Sequence, residues 1–224
     1  DSSVVETTRL VASTYNILKD SITGTNDQLS NFNRINDIFV RATNESSLEM
    51  DQLVQSLKFS ITASKESGLN LEELTGILGQ LADQGLRGGN AGRALRSALQ
   101  QISKDAPLVA KALNIDIDLD KPLDLLSIIK QYSEQIKGQE ITVEELGTVF
   151  ERFGLRGADV FLLLAQNFDN VEKKIKDLTE NSQNAALISS DLRLASPERQ
   201  LQIFQENVAR LVKVGIEPLV LAFL

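Results

Sequence analysis

Ser67-Gly-Leu-Asn-Leu-Glu-Glu-Leu-Thr-Gly-Ile-Leu-Gly-Gln-Leu-Ala-Asp-Gln-Gly-Leu-Arg-Gly-Gly-Asn-Ala-Gly-Arg-Ala-Leu-Arg96 is where the chain declares its architecture. Leu71, Leu74, Ile77, Leu78 and Leu81 recur at helical spacing, which predicts an amphipathic helix over 71–84. Asn70 and Glu73 stand three apart, as a capping box requires. Gly85 supplies a stop. A second apolar face then begins, with Ala91, Ala94, Leu95, Ala98, Leu99 and Ile102 predicting a helix over 90–103. The corner between them is crowded with Gly85, Gly88, Gly89 and Gly92. Gly92 falls one turn before the Leu95/Leu99 face, so it is expected at a close helix contact.

The same arrangement returns further on. Leu71-Glu-Glu-Leu74 precedes Gly85-Leu-Arg-Gly88, and Val143-Glu-Glu-Leu146 precedes Gly154-Leu-Arg-Gly157. Thr142 and Glu145 repeat the capping box. The second spacing is shorter by about one helical turn. Two related helix–turn–helix units are expected, with Gly154 and Gly157 at the second corner and Leu86 and Leu155 folding back as apolar plugs. Two copies are too few for a solenoid array.

Outward from these units the period stays helical. Helices are predicted over 2–23, 27–43, 48–66, 71–84, 90–103, 106–113, 121–137, 142–153, 157–180 and 197–215. Their starts include Asp120 before Lys121-Pro122 and Ser196 before Pro197, and their stops include Gly24, Gly68, Gly138 and Gly215. The expected fold is all-α, a compact bundle of about ten helices with glycine-rich corners. Strand-like alternation occurs at Ile115-Asp-Ile-Asp-Leu-Asp120, enough for an extended link or a minor hairpin. The organisation reads as a helical core over 1–180, a Ser/Asn-rich loop or partial helix over 181–196, and a C-terminal segment over 197–224.

Composition narrows the chemistry. The 224 residues contain no His and no Cys, which removes imidazole and thiolate catalysis, zinc sites built on those ligands, and disulfides. The net charge of −8 and an aromatic content of 5% are poor for gripping nucleic acid by its phosphates. The chain starts without Met and ends in the apolar run 216–224, so a longer parent chain is expected. That run is too short to span a bilayer by itself and reads as the last turns of a core helix.

Candidate sites are few. Asp116, Asp118 and Asp120 open like a calcium loop, but Lys121 and Ser127 stand where it needs Gly and Glu. The glycine-rich run 85–92 opens a helix, yet it lacks the Gly-Lys-Ser/Thr of a phosphate loop. Glu72/Glu73 and Glu144/Glu145 suit the helix dipole better than acid–base work. Lys173, Lys174 and Lys176, interleaved with Glu172 and Asp177, look like a solvated face. No catalytic, metal or cofactor residue is expected. Two seams have heptad steps: Phe161, Leu164, Phe168, Val171, Ile175 and Leu178, then Leu201, Phe204, Val208 and Leu211. Each reads either as a core-facing stripe of one bundle or as a contact between copies.

The stretch from Ser67 to Arg96 resembles the core region of phage tail tape measure proteins. The residues that carry the likeness are Leu78-Gly-Gln-Leu-Ala-Asp-Gln-Gly85, Ala91-Gly-Arg-Ala-Leu-Arg96 and Phe153-Gly-Leu-Arg-Gly157. The family more often has small or hydroxylated residues where this chain has Gly92-Arg93-Ala94. The resemblance implies a virion structural protein that organises tail assembly and length and is ejected during DNA delivery. It implies a homo-oligomer, a trimer by analogy, with tail tube, tip or baseplate proteins and assembly chaperones as partners. It places the protein in the tail lumen or tip, and in the host cytoplasm during assembly. It implies no cofactor. A membrane-active helical domain assisting DNA passage through the host envelope is the alternative expectation, suggested by 216–224.

Overall fold

Asn70 starts the helix that the sequence marks most clearly. Its Oδ1 accepts the Glu73 N–H at 2.8 Å, and Glu73 Oε2 accepts the Asn70 N–H at 2.9 Å. Helix α4 (Leu71–Asp83) follows. It ends with Gly85 at φ +86, where the Gly85 N–H reaches Ala82 O and the Leu86 N–H reaches Leu81 O. That pair of bonds satisfies two orphan carbonyls at the helix end.

The computed structural model describes residues 11–18, 28–121 and 123–194. Around α4 stand α1 (11–18), α2 (Gln28–Asn44), α3 (Met50–Glu66), α5 (Gly88–Leu113), α6 (Leu125–Ile136), α7 (Val143–Gln166), α8 (Phe168–Asn181) and α9 (Ala185–Leu194). No strand occurs among the described residues. The chain divides into two compact units, Asp1–Gln183 and Asn184–Leu224. The second unit is described only through α9, which lies in the stretch read as loop or partial helix. The expected helix 197–215, its seam from Leu201 to Leu211, the run 216–224 and the markers Gly24, Ser196 and Gly215 lie outside the described residues.

The first unit has one hydrophobic core. α5 is its axis, packed against α3 on one side and α7 on the other. α4 lies against α8 and α2. Phe153 stacks on Phe161 with centroids 4.4 Å apart, and Tyr132 meets Phe161 at 5.2 Å. Burying each such ring or a core Leu contributes about 1.5–3 kcal/mol.

Several expected boundaries move, each for a local reason. The helices expected over 90–103 and 106–113 join as α5, with a kink at Asp105 (φ −127, ψ 33) just before Pro107. Pro107 has no N–H to offer the carbonyl of Ser103 and its ring crowds that carbonyl, so the chain bends instead of stopping. The helix expected from 121 starts at 125, because Asp124 and not Asp120 is its cap, accepting the Ser127 N–H at 2.9 Å. The Asp120 N–H is turned back onto Asp118, which also pairs with Lys121. The helix expected over 157–180 is split at Asn167 into α7 and α8.

The alternating segment after α5 is an extended link rather than a hairpin. Ile115 is buried and Ile117 packs against the core, while Asp116 and Asp118 are exposed. Its main chain finds partners on α6. Gln131 accepts the Asp116 N–H at 2.8 Å and donates to Asp116 O at 2.9 Å, as a neighbouring strand would. Gln135, one turn on, donates to Asn114 O at 2.8 Å.

Candidate functional site

The best-defined features of the described residues are helix interfaces of two chemical kinds. The first kind is a contact through small residues along α5. At Gly92 a Cβ would overlap Ser56 O and stand 2.9 Å from Ser56 C and Cα. The backbones of α3 and α5 therefore touch. Ser56 fixes the contact, its one hydroxyl proton shared between Gly88 O at 2.8 Å and Gln52 O at 2.9 Å. Ser60 donates to Ser56 O, and Ser56, Ser60 and Ser64 are all fully buried. On the other side of α5, a Cβ at Gly157 of α7 would lie 3.2 Å from Ala98 N.

The other expected corner residues divide. Gly85, Gly88 and Gly154 all have positive φ, and space around Gly85 and Gly154 is open. Gly88 is the first residue of α5 and has only Gln55 Cβ at 4.0 Å. A Cβ at Gly89 would come 3.0 Å from Phe59 Cε2, a ring whose centre lies 4.6 Å from the Arg93 guanidinium. Leu86 packs against the core, but Leu155 is 76% exposed, so the expectation of a second apolar plug is corrected.

The second kind of interface is charged and surrounds α8. Arg34 of α2 donates to Glu72 at 2.7 Å, to Ser182 Oγ at 2.6 Å and to the terminal carbonyls of α8 at Leu178 and Thr179. Positive charge at a helix C-terminus is favourable. Arg41 holds Asp177 through two bonds of 2.8 Å. Lys174 reaches Asp83 and Glu45 O, both at 2.8 Å. Of these groups Glu45, Asp83, Lys174, Asp177 and Leu178 line a cleft of about 390 Å³ between α2, α4 and α8, with Thr75, Gly76, Gly79 and Gln80 along its wall. A Cβ at Gly76 would meet Ile175 Cγ1 at 2.8 Å, and one at Gly79 would meet Ser46 Oγ at 3.3 Å.

The electrostatics follow from these contacts. The Arg41 hydrogen bond holds the Asp177 carboxyl below the usual range. At Asp83 burial works upward, but hydrogen bonds from Lys174 and the Ser47 N–H together prevail, and its pKa is also lowered. Burial pushes Glu73 up, opposed by its bond to the Asn70 N–H. Burial also pushes the Tyr132 phenol up, with Glu145 adding to it.

All six residues of the first heptad seam belong to the core region of this unit. Phe161, Leu164, Phe168, Val171 and Leu178 are buried and Ile175 packs against them. Asn167 divides the set, leaving Phe161 and Leu164 on α7 and the rest on α8. The charged face read as solvated is only partly so, since Lys174 and Asp177 both point into partners. The sequence reading missed Gly76, Gly79, Arg34 and Arg41. The glycines were detectable as small residues spaced three apart on an amphipathic helix. The arginines carry no local signal of this role, because their partners on and just after α8 lie far along the chain.

Of the carboxylates read as a calcium loop, Asp118 is bound to Lys121 and to the Asp120 N–H. Among the described residues no cluster of three or more acidic side chains could hold a metal ion. Nor, among them, is any helix long and apolar enough to cross a membrane.

Comparison with known proteins adds an independent line. A family model described as "Phage-related minor tail protein" matches residues 1–190. The chain is 25% identical over 191 residues to the tape measure protein of Pneumococcus phage Dp-1. That match covers 81% of this chain and 16% of the relative, so the chain spans about a sixth of the relative's length. No solved structure matches.

Proposed function

The chain belongs to the family of phage-related minor tail proteins, and from that premise we propose that it is a folded module of a tape measure protein, acting in anchoring and assembly of the tail. The observation that supports this most directly is the backbone contact of Gly92 with Ser56. It commits α3 and α5 to lie side by side. A length-counting segment works by axial rise, at about 1.5 Å per residue of straight helix. Even an unbroken helix of 224 residues would reach only about 340 Å. A segment folded back on itself contributes far less.

In this reading the parent protein organises tail assembly and length and leaves with the DNA. Its partners are other copies, tail tube, tip or baseplate proteins, and assembly chaperones. The role is structural rather than catalytic. The carboxylates at the best-formed sites are engaged as caps or ion partners: Glu73, Glu145, Asp83 and Asp177.

In-frame deletion within 68–158 of the parent gene tests the reading, with tails examined by electron microscopy. Loss or reduction of tail assembly is expected, whereas deletions in long helical regions elsewhere should shorten tails in proportion. Viable tails shortened by about 1.5 Å per residue removed from 68–158 would refute the module. Normal tails and normal infection after removing all of it would refute any virion role.

A further inference from the structure

We propose that α8 is an exchangeable arm: opening at Asn167, it leaves the α2–α4 cleft of its own chain and fills the same cleft of a second copy. This goes beyond the anchoring role and does not depend on it.

The joint is a single residue. Asn167 closes α7 and opens α8, with φ −119 and ψ 26. In an uninterrupted helix its N–H would bond the carbonyl of Leu163. Here its side-chain Nδ2 takes that carbonyl at 2.8 Å, while its N–H goes to Leu164 O at 3.3 Å. Its Oδ1 accepts from Gln84 at 3.4 Å. The negative φ needs no glycine, so both the broken and the straight form are open to this backbone and leave Leu163 O satisfied.

The heptad steps continue across the break. In a straight helix Phe161, Leu164, Phe168, Val171, Ile175 and Leu178 would form one stripe. Its first two members would stay in their own core, and the rest would be presented to another chain. The surface they fit is the α2–α4 cleft. Gly76 admits Ile175, Arg41 grips Asp177 with two bonds, Lys174 meets Asp83, and Arg34 closes on the end of α8. Exchange of an identical element re-forms every one of these contacts, which makes it a low-cost route to a dimer. A short hinge invites it. α8 is also the last helix of the first unit, so the arm can move without rethreading the core. A coiled coil between straightened seams is the competing geometry. It would leave the groove at Gly76 and Gly79 empty.

Charge reversal tests the exchange. In R41D two carboxylates face each other within one chain, and in D177R two guanidinium groups do. Both mismatches vanish if the two variants are mixed and trade arms. One junction then pairs the carboxylate introduced by R41D with the guanidinium introduced by D177R, and the other junction is native. The variants, in the 224-residue chain, are mixed in mild urea, returned to buffer and weighed by native mass spectrometry. Heterodimers several-fold in excess of either homodimer are expected, with the R41D/D177R double variant behaving as wild type. Asn167→Leu should raise the dimer fraction of the otherwise native chain, since it removes the side-chain bond that holds the break. If the single variants unfold, mutual recovery of helical circular dichroism on mixing carries the same meaning. A mixture that stays monomeric, or that fails to recover while the double variant folds, overturns the proposal. So does R41D dimerising by itself as readily as the mixture, which is the outcome for a coiled coil.

Discussion

Gly85-Leu-Arg-Gly88 and Gly154-Leu-Arg-Gly157 share four letters and produce different corners. At the first, α4 stops. Gly85 sits at φ +86 and two backbone bonds return to α4. Arg87 folds back to donate to Ala82 O at 3.1 Å, and Leu86 joins the core. At the second the helix only kinks. Gly154 has φ 65 and ψ 168 inside α7, and Leu155 points to solvent. Position relative to the contact explains the difference. In the first unit the contact glycine, Gly92, comes a full turn after the corner ends, so the corner has room to close. In the second the contact glycine is Gly157 itself, the last letter of the motif, already seated against Ala98. The helix must be back in register at once. A four-residue motif therefore specifies a change of direction. The distance to the next close contact decides whether the change is a stop or a kink.

The contact at the first corner is the one to break first. Gly92→Ala places a methyl against the Ser56 backbone, which cannot rotate away as a side chain could. We expect a cost of about 3 kcal/mol, at the upper end of overpacking. For a chain of this size that is a fall in Tm of roughly 6–12 °C. A Tm within 2 °C of wild type, roughly the effect of a neutral surface change, would remove the contact from the argument.

The corners themselves separate next. Gly154 occupies backbone space that is essentially reserved for glycine, although nothing crowds it. Gly154→Ala should cost about 2 kcal/mol in strain alone. Gly85 lies in the left-handed region that ends many helices, and Gly85→Ala should cost about 1 kcal/mol. Chemical denaturation of the two variants measures the order. Equal losses would mean that the kink and the stop are held in the same way.

Acid should act on the side of the molecule beyond the second corner. Asp177 and Asp83 have folded pKa values below those of the unfolded chain. Their contribution is thus present above the ordinary Asp value of about 3.9 and is lost as pH falls through the folded values. Glu73 is raised, so its small unfavourable share disappears over the same descent. Each partly exposed pair is worth about 1 kcal/mol or less. Tm followed from pH 7 to pH 3 should decline, and Asp177→Asn should flatten the decline. Hydrogen exchange should show α8 loosening before α3 and α5, whose glycine and serine contact does not titrate. Simultaneous loosening would show that the two interfaces are not separable.

Much of this was readable in the residues and some was not. The capping boxes at Asn70 and Thr142, the apolar faces of α3, α4 and α5, and the all-helical class follow from local spacing. Gly92 was legible because glycine in helical register beside a Leu face has few other uses. The split at Asn167 was not, since the residue is helix-compatible and the heptad runs through it. What breaks the helix there is a side-chain bond to Leu163 O and a reach to Gln84, the latter set by tertiary placement. The staples from Arg34 and Arg41 are hidden for the same reason.

The smallest expected effect belongs to one of two leucines. Leu86 and Leu155 occupy the same place in the motif, and periodicity gives both the same reading as plugs. Leu86 packs against the core; Leu155 is 76% exposed. Leu86→Ser should cost about 1–2 kcal/mol, because a half-buried Leu gives up part of its transfer free energy and a hydroxyl is brought beside the core. Leu155→Ser removes nothing from water and should stay within about 0.5 kcal/mol of wild type, as surface changes do. Urea midpoints measured side by side decide it. If Leu155→Ser matched Leu86→Ser, the second corner would have to close in solution as the first does, and the kink at Gly154 would be one of two states rather than the resting one.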